Sequence, residues 1–567
     1  MLLSLIIWLP LALGLLALLV VPRPAMKWAA LAIMIADLAL VGAAAQKFDW
    51  QAPNLDAVRA LPASEQAAFE VGVHGDRVLS HFQLRESADW LPQFNITYTI
   101  GVDHLSFTLM ILTALMGVIA VLCSWTAVTE REKTFYFFIL LLQTGIMGTF
   151  AALDMFLFYI FWELMLVPLY FLIGIFGSSN RIYATMKFVL YTLAGSVLML
   201  LALIWTYYNG GQTYSYEMLL ANGSDALRTA TWPFLALFFA FAIKVPLFPF
   251  HTWLPDAHTE APTAGSVVLA AVLLKTGVYG MLRFCLPLFP VASLAFAPLI
   301  IYLSLIAIVY GALTAMVQTD MKRLVAYSSV SHMGFIVLGV FTFNNQGMTA
   351  AILQMFNHGI STGGLFLAVG MIYERRHTRE MAKLGGLAHT LPIYASLTMV
   401  MLLSSVGLPG LNGFIGEFNI LLGSMNAIPM RLMAMEPASF MAALGQSQYT
   451  WFVAAIAATG VIFGAVYLLI MYQKVFFGSP AKADHGHGDH GHDHEHDLSV
   501  REWGQLAFLS VAALWIGLFP GPMLRELGKA TDQSMIAVRP EVEQAARDTG
   551  LALSTSAGSE RVASAAQ

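Results

Sequence analysis

Two interrupted apolar segments decide the fold: KVPLFPFHTWLP at 244–255 and GLPGLNGFIGE at 407–417. Both lie within long apolar runs, where proline removes a helix hydrogen bond and glycine weakens the helix further. A charged residue adjoins each break, Lys244 in the first and Glu417 in the second. Paired broken helices beside charges indicate a transport site in a membrane protein. The alternative is two unrelated proline kinks, which are common in membrane helices.

The composition around these segments is that of a protein dissolved in lipid. Of 567 residues, 58% are hydrophobic and 11% are charged, against about 25% charged in a typical soluble domain. The net charge of −5 excludes a basic nucleic-acid-binding surface. Two distant cysteines, Cys123 and Cys285, can form neither a disulfide framework nor a four-thiolate iron–sulfur site. Since there is no Walker A loop either, we expect no cofactor in this chain.

Apolar runs long enough to cross a bilayer recur along the chain. About 20 such residues cover the roughly 30 Å of hydrocarbon, and a helix satisfies its own backbone groups there. The sequence therefore predicts an all-α integral membrane protein with about 14 transmembrane helices. We predict these spans near 1–21, 26–45, 99–124, 134–153, 155–177, 181–208, 230–250, 262–284, 293–318, 322–343, 348–373, 391–424, 450–477 and 503–523.

The two breaks fall in the seventh and twelfth predicted spans. An odd offset reverses the direction in the membrane, so we predict two inverted five-helix repeats, spans 4–8 and 9–13, each with one discontinuous helix. The expected domains are N-terminal helices with an external loop 46–98 (1–125), a first antiporter-like repeat (134–284), a second (293–477), a histidine-rich cytoplasmic loop (478–502), and a last helix with a polar tail (503–567).

Basic residues in the short loops predict the orientation. They lie in odd-numbered loops, at Arg23, Lys27, Arg131, Lys133, Arg181, Lys322, Arg323, Arg375, Arg376, Arg379 and Lys383. The positive-inside rule makes that side cytoplasmic, so both termini are expected on the periplasmic side. The 46–98 loop, with seven Asp or Glu and four Lys or Arg, is expected there too.

Several ionisable residues lie inside the predicted spans. They are Glu163, Lys187, Lys244, Lys275, His332, His358 and Glu417. A charge at mid-bilayer costs roughly 2.5–3.5 kcal/mol, and few sequences keep several without a use. Burial disfavours the charged form of a lysine and histidine titrates near neutrality, so this set can exchange protons. The alternatives are static salt bridges for the glutamates and lysines, and packed hydrogen-bonding histidines.

The position of each residue within its span bears on its expected role. Glu163 has no charged neighbour in sequence, so we expect Lys244 to pair with it across the bundle. Lys275 lies about eight residues from the nearer span end, roughly 12 Å at 1.5 Å per residue, which is far for a lysine to reach the interface. Lys187, near the cytoplasmic end of the sixth span, either reaches the interface or faces Glu163.

Other polar residues give weaker indications of a functional role. His251 and His258, near the first break, are either a proton-uptake point or loop hydrogen-bonders. Asp37 and Asp103 lie near span ends or in weaker contexts and receive no role. Residues 484–497 hold six histidines, which can bind zinc or nickel in a purified sample. Because a flexible tract has no fixed geometry, we expect a solvated loop and no metal site.

Four motifs resemble one known family. They are FWELMLVPLY at 161–170, KVPLFPFHTWLPDAHTEAP at 244–262, YSSVSHMG at 327–334 and GLPGLNGFIGEF at 407–418. Over most of residues 1–525 the chain resembles the antiporter-like proton-translocating subunits of proton-pumping NADH:quinone oxidoreductase, respiratory complex I. It is most similar to the bacterial M-type subunits, counterparts of mitochondrial subunit four. Glu417 stands where L-type subunits usually carry a lysine, and no long lateral helix is expected after the last span.

The resemblance implies a role in proton translocation for each buried group. The coupling pair is Glu163 and Lys244, the central relay is Lys275, the onward connection is His332 and His358, and the terminal site is Glu417. NADH, FMN, iron–sulfur clusters and quinone are then bound by partner subunits, and this chain works in the bacterial inner membrane without a redox centre. The alternatives are an Mrp-type cation/proton antiporter subunit, a membrane-bound hydrogenase arm, and a structural scaffold.

Overall fold

Apolar helices form most of the structure, a computed structural model that describes residues 1–53, 55–73, 76–434, 446–478, 496–549 and 551. Within those residues, eleven helices are long and apolar enough to cross a membrane. They are Leu2–Val20, Arg23–Lys47, His104–Cys123, Glu132–Ala151, Met155–Phe176, Arg181–Asn209, Thr263–Leu288, Pro290–Met316, Met321–Val340, Asn345–Arg376 and Thr450–Phe476. A twelfth candidate, Val500–Leu518 followed by Gly521–Met535, bends by 78°. The membrane-embedded helical fold is confirmed, whereas the count of 14 and the inverted repeats stay predictions.

Two shorter apolar helices end at the predicted breaks. Thr231–Lys244 is followed after the first break by the helix Trp253–Glu260. Pro392–Val406 is followed after the second by Asn412–Ser424. Gly407 ends its helix with a φ of +82°, a left-handed conformation that glycine adopts without a steric penalty.

The remaining described elements are short. The helices are Leu55–Ala60, Ala63–Gln66, Tyr216–Asn222, Asp225–Arg228, Leu387–Thr390, Ile428–Ala434 and Val538–Thr549, with single 3₁₀ turns at Ala67–Phe69, Pro92–Phe94 and Met381–Lys383. The span Met155–Phe176 consists of two helices, Met155–Leu164 and Leu166–Phe176.

The span Thr263–Leu288 alternates between two helix types, and every residue of its apolar window is buried. Its α-helical parts are Thr263–Val268, Leu274–Gly280 and Leu286–Leu288, and its π-helical parts are Leu269–Leu273 and Met281–Cys285. A π turn is rare and occurs mostly where a helix carries a functional side chain. We call this helix the central span.

The segment expected to be an external loop, 46–98, contains strands. Glu70–Val73 pairs antiparallel with Asp76–Leu79, and Gln83–Leu91 pairs antiparallel with Ile96–Val102. The amino group of Met1 forms an ion pair of 2.7 Å with Glu86 in the second hairpin. The sequence ITYTIGV at 96–102 does alternate apolar and polar side chains, the pattern that marks a strand. It was not predicted as one because residues 99–102 were assigned to the third span.

Both described ends of the chain lie on the face that carries these hairpins. The last two helices, Gly521–Met535 and Val538–Thr549, contact it through Lys529, which donates to the carbonyl of Trp50, and Glu541, which pairs with Arg228. We call this the outer face and the opposite one the inner face. The predicted polar tail is therefore helical as far as residue 549.

The histidine-rich loop, predicted at 484–497, falls almost wholly outside the described residues, which resume at His496. Asp497 accepts backbone hydrogen bonds from Ile393 and Tyr394 at 2.6 and 3.0 Å. It therefore joins the end of that loop to the inner end of the helix Pro392–Val406.

We expect Gly148→Ala to destabilise the fold by about 1–3 kcal/mol, because overpacking a close-packed site costs that much. A Cβ at Gly148 would overlap the ring of Phe161, which lies two residues before Glu163. The measurement is the thermal unfolding midpoint of the purified protein in detergent. Gly504→Ala is the matched control, since no atom lies within 4 Å of its Cβ position. An equal midpoint for both variants would contradict the packing described here.

Candidate functional site

Lys275 lies at the centre of the bundle, fully buried in the central span. It follows the first π turn, and its ammonium donates to the carbonyl of Ala270 within that turn. Its Nζ also lies 2.7 Å from Nδ1 of His358 on the helix Asn345–Arg376. Lys275 and His358 can therefore share a proton directly.

Two further ionisable side chains, His332 and Glu417, lie beyond the pair of Lys275 and His358. The rings of His358 and His332 have centroids 5.8 Å apart. Nδ1 of His332 lies 2.6 Å from Oε1 of Glu417, and its Nε2 lies 3.2 Å from the hydroxyl of Ser405. The structure thus brings Lys275, His358, His332 and Glu417 into one buried series, which we call the central row.

Polar side chains around the second break hold Glu417 in place. Gln354 donates to Oε1 of Glu417 at 3.1 Å, and Asn357 donates to Oε1 of Gln354 at 3.3 Å. Asn357 also donates to the carbonyl of Asn412 at 2.8 Å, and Ser404 donates to the amide oxygen of Asn412. The break therefore supports the carboxylate indirectly, because its Asn412 carbonyl holds Asn357 and Asn357 holds the Gln354 donor.

Glu163 and Lys244 lie on neighbouring elements beside the first break. Lys244 is fully buried, and its ammonium has no hydrogen-bond partner. It lies 5.1 Å from the ring centroid of Trp162 and 5.9 Å from that of Phe188. Glu163 acts on it electrostatically, but no ion pair of 4.0 Å or less joins these two described residues. Their direct pairing stays a prediction.

Lys187 contacts a different partner from the one weighed in the sequence. Its Nζ lies 2.7 Å from Asp256, on the helix Trp253–Glu260. Arg323 lies 3.6 Å from the same carboxylate. The side chain of Lys187 is 21% exposed, so it forms a surface ion pair near the inner face and does not contact Glu163.

The two histidines near the first break lie in different surroundings. His251 stacks on Phe248 and lies edge-on to Tyr310. His258 is fully buried, stacks on Phe366 with centroids 4.4 Å apart, and has no hydrogen-bond partner on either ring nitrogen. The charges of Lys322 and Lys275 both act on His258. Both ring nitrogens of His251 also have no hydrogen-bond partner, but of these two histidines it is His258 that is influenced by Lys275 of the central row.

Sequence reasoning missed Asp154, which positions the helix that carries Glu163. Its carboxylate accepts backbone hydrogen bonds from Phe156 and Leu157 at the helix start and from Thr97 in the outer hairpin. Burial raises the pKa of Asp154 to about 6, against the opposing effect of those hydrogen bonds. An aspartate directly before an apolar run is a helix-capping signal, so the sequence did hold this information.

A second missed group is the pair of Arg283 and Asp103 near the outer end of the central span. The distance from Nη2 of Arg283 to Oδ2 of Asp103 is 2.7 Å, and both side chains are buried. Burial opposes ionisation, but the neighbouring guanidinium holds the pKa of Asp103 well below its usual range. An arginine inside the apolar run MLRFCLPL was the available signal.

The described residues contain no group of three His, Cys, Asp or Glu side chains arranged to hold a metal ion. The features that the structure brings together are the central row, a lysine at a broken helix, and a nearby carboxylate. Each of these groups is of a type that can bind and release a proton.

Two family models match the chain. Residues 152–445 match the model described as NADH:quinone oxidoreductase/Mrp antiporter, TM. The chain belongs to this family. Residues 78–149 also match the model described as NADH-ubiquinone oxidoreductase chain 4, amino terminus. The NADH:quinone oxidoreductase/Mrp antiporter model covers both helix breaks and every residue of the central row.

Two bacterial relatives indicate which type of subunit within this family the chain resembles. NADH-quinone oxidoreductase subunit M of Rickettsia conorii is 40% identical over 460 residues, which is 80% of this chain and 86% of that protein. The subunit M of Escherichia coli is 40% identical over 449 residues, 77% and 82% of the two chains. The resemblance to M-type subunits is thereby confirmed.

Solved structures of related complexes contain the same fold. A chain of respiratory complex I from Thermus thermophilus with bound NADH matches with a TM-score of 0.76 at 32% identity, covering 95% of this chain and 100% of that one. A chain of the Mrp complex from a Dietzia species matches with a TM-score of 0.73 at 22% identity, covering 96% and 98%. The second likeness shows the fold alone.

We expect Gly416→Ala to disturb the central row. A Cβ at Gly416 would overlap the Gln354 side chain, which donates to Glu417, so the variant moves that donor and leaves a buried carboxylate less satisfied. A lost partner of this kind costs about 1–3 kcal/mol, and the readout is a lower thermal unfolding midpoint. Gly464→Ala, whose nearest neighbour is 3.8 Å away, is the control and should leave the midpoint unchanged. A midpoint for Gly416→Ala that equals the control would disprove the contact.

Proposed function

We propose that this chain is the M-type membrane-arm subunit of a bacterial complex I, and that its buried groups carry protons across the membrane. The observation that carries the proposal is the central row, an ammonium, two imidazoles and a carboxylate, all buried. Lys275 and His358 lie 2.7 Å apart, His332 and Glu417 lie 2.6 Å apart, and the two imidazole rings are 5.8 Å apart between centroids. Ionisable groups retained inside a membrane bundle mark ion or proton pathways. In the central row the lysine and the glutamate are the two ends, and the histidines connect them.

The coupling element is Glu163 with Lys244. The Lys244 ammonium has no hydrogen-bond partner, so its charged form depends on the electrostatic influence of Glu163. Helix breaks let a side chain and water approach closely, and the first break follows Lys244 directly. Gly277, two residues after Lys275, packs against the backbone of Phe241 and Val245. The coupling pair and the central row are therefore on helices in contact.

Proton uptake from the inner face proceeds through His258. A cavity of about 640 Å³ opens at the inner face and is lined by Glu260, Thr263 and Lys322 among others. His258 is buried two residues before Glu260, with both ring nitrogens unpartnered, and it is influenced by Lys322 and Lys275. A neutral imidazole in that position can pass a proton inward. His251 is accessory to this route.

The assignment to complex I also implies the repeat boundaries, the partner subunits and the location of the complex. The two antiporter-like repeats are 134–284 and 293–477, and the broken helices Thr231–Lys244 and Pro392–Val406 start at opposite faces, as inverted repeats require. Other complex I subunits are the partners, and they bind NADH, quinone, FMN and the iron–sulfur clusters. Electron transfer in those subunits drives the charge changes at Glu163 and Lys244. The complex resides in the inner membrane.

Glu163→Ala and Lys244→Ala are expected to abolish most NADH-driven proton pumping while the complex still assembles, because each removes one member of the coupling pair. Pumping is measured as acidification of inverted membrane vesicles, and assembly by the yield of the intact complex. Lys133→Ala is the control, since Lys133 only donates to the carbonyl of Leu18 at the inner face. Normal pumping by an assembled Glu163→Ala or Lys244→Ala complex would remove the assignment.

We further propose that the outer face is periplasmic, as the basic loops on the inner face require. Asp76 in the first hairpin and Arg131 before the helix Glu132–Ala151 are both exposed. In intact spheroplasts, a membrane-impermeant maleimide should label Asp76→Cys, whereas Arg131→Cys should react only after permeabilisation. Both native cysteines are buried, so the unmodified chain is the blank. The reverse labelling pattern would invert the topology.

A further inference from the structure

The outer half of the central span carries a second series of polar side chains. Lys275, Tyr279 and Arg283 follow one another at intervals of four residues, which places them on one face of the helix. Arg283 lies eight residues beyond Lys275, roughly 12 Å along the axis. This face joins the central row to the region beneath the outer hairpins.

Arg283 is fixed by hydrogen bonds on this face. Its Nη2 donates to Asp103 at 2.7 Å and to the hydroxyl of Ser106 at 3.0 Å. Its Nε donates to the hydroxyl of Tyr279 at 3.2 Å, and Tyr279 donates to the carbonyl of Phe150 at 3.0 Å. The guanidinium is therefore held in one position, with no freedom to swing towards water.

Aromatic rings surround the same guanidinium. Its central carbon lies 5.0 Å from the ring centroid of Phe82, 5.2 Å from Tyr279 and 5.5 Å from Tyr216. Phe82 directly precedes the strand Gln83–Leu91 of the second hairpin, and Tyr216 begins the helix Tyr216–Asn222. Cation–π contacts of this kind stabilise a buried cation, and Arg283 is only 4% exposed.

The outer side of the pair faces a cavity. Nε2 of His81 lies 3.8 Å from Oδ2 of Asp103. His81, Ser80 and Glu217 line a cavity of about 260 Å³ beneath the first hairpin. From the outer face, a proton can therefore approach as far as His81 and Asp103, and the next group inward is Arg283.

We propose that the Arg283–Asp103 pair is a seal that stops protons from returning from the outer face to Lys275. A guanidinium does not release its proton in a protein, and a fixed positive charge in a pathway excludes protons and cations. The inference rests on the proposed function, since it requires Lys275 to hold a proton that can be lost or gained. It assigns Arg283 a positioning role: it touches no transported proton and keeps two proton-bearing regions apart.

The chemistry of the pair argues for this role over packing alone. A buried ion pair is frequently no more stable than apolar side chains of similar volume. The neighbouring positions Met281, Leu282 and Phe284 are all apolar and buried, so packing in this part of the span does not require an ion pair. The pair lies between Lys275, eight residues away along the same helix, and His81, which lines the outer cavity.

The test is passive proton leak through the purified, intact complex in sealed proteoliposomes, with no NADH present and a pH gradient imposed by dilution. Arg283→Gln should increase the rate of gradient decay several-fold, because it removes the charge and keeps a polar side chain. Arg283→Lys, which keeps a positive charge, should stay close to the unmodified complex. Arg85→Gln is the matched control: Arg85 also pairs with a buried carboxylate at the outer face, Glu217 at 3.0 Å, but it does not lie between the cavity and Lys275.

A second substitution tests the route. Lys275→Ala added to Arg283→Gln should return the leak to the unmodified rate, because the proton then has no central acceptor. Arg283→Gln alone leaves the Asp103 carboxylate buried without its partner and can fail to assemble. In that case the double variant Arg283→Gln with Asp103→Asn, which leaves no unpaired buried charge, is measured in its place. It should show the same several-fold faster gradient decay that is expected of Arg283→Gln. A leak no faster than that of Arg85→Gln, or one that persists without Lys275, would overturn the seal. Since no turnover is involved, either result is independent of whether Glu163 and Lys244 drive pumping.

Discussion

The Lys275 ammonium is held in the middle of the bundle without a counter-charge, and the rest of the site depends on this. Its described partners are the carbonyl of Ala270 and the imidazole of His358. An uncompensated charge in a medium of low dielectric costs several kcal/mol. The charged groups and dipoles around this lysine therefore determine what it costs to keep it protonated.

The two helix breaks solve a related problem, because a bundle in lipid must satisfy polar groups from within. At the second break, the carbonyl of Asn412 accepts from Asn357, which also donates to Gln354, the donor to Glu417. At the first break, the indole of Trp253 donates to the carbonyl of Ile243 at 2.8 Å, and the adjacent Lys244 ammonium has no hydrogen-bond partner. One break therefore stabilises a carboxylate, whereas the other leaves an amine sensitive to its surroundings.

Much of this could be predicted from sequence, because lipid imposes strong rules. Long apolar runs indicated the spans, and the cost of burying charge singled out Lys275, His358, His332 and Glu417. Pairing between helices was less accessible: Lys187 contacts Asp256, and nothing in the local sequence specifies this distant partner. The outer hairpins were missed because the first has strands of four residues and the last strand of the second runs into the apolar sequence of the next span. They are ordered by contacts with distant residues, such as that of Thr97 with Asp154. Sequence patterns therefore indicate which residues are buried, but they do not indicate which residues contact one another across the bundle.

The π turns of the central span have a consequence for its evolution. Each such turn holds one more residue than the equivalent α-helical turn, and successive residues of an α-helix are rotated by roughly 100°. Deleting a single residue from Leu269–Leu273 would convert this π turn into a regular α-helical turn and leave Lys275 facing roughly the same way. The same deletion within the α-helical part Thr263–Val268 would instead rotate one side of the helix against the other by about that angle. The π turns are therefore positions at which this span can lose a residue while its buried side chains keep their register.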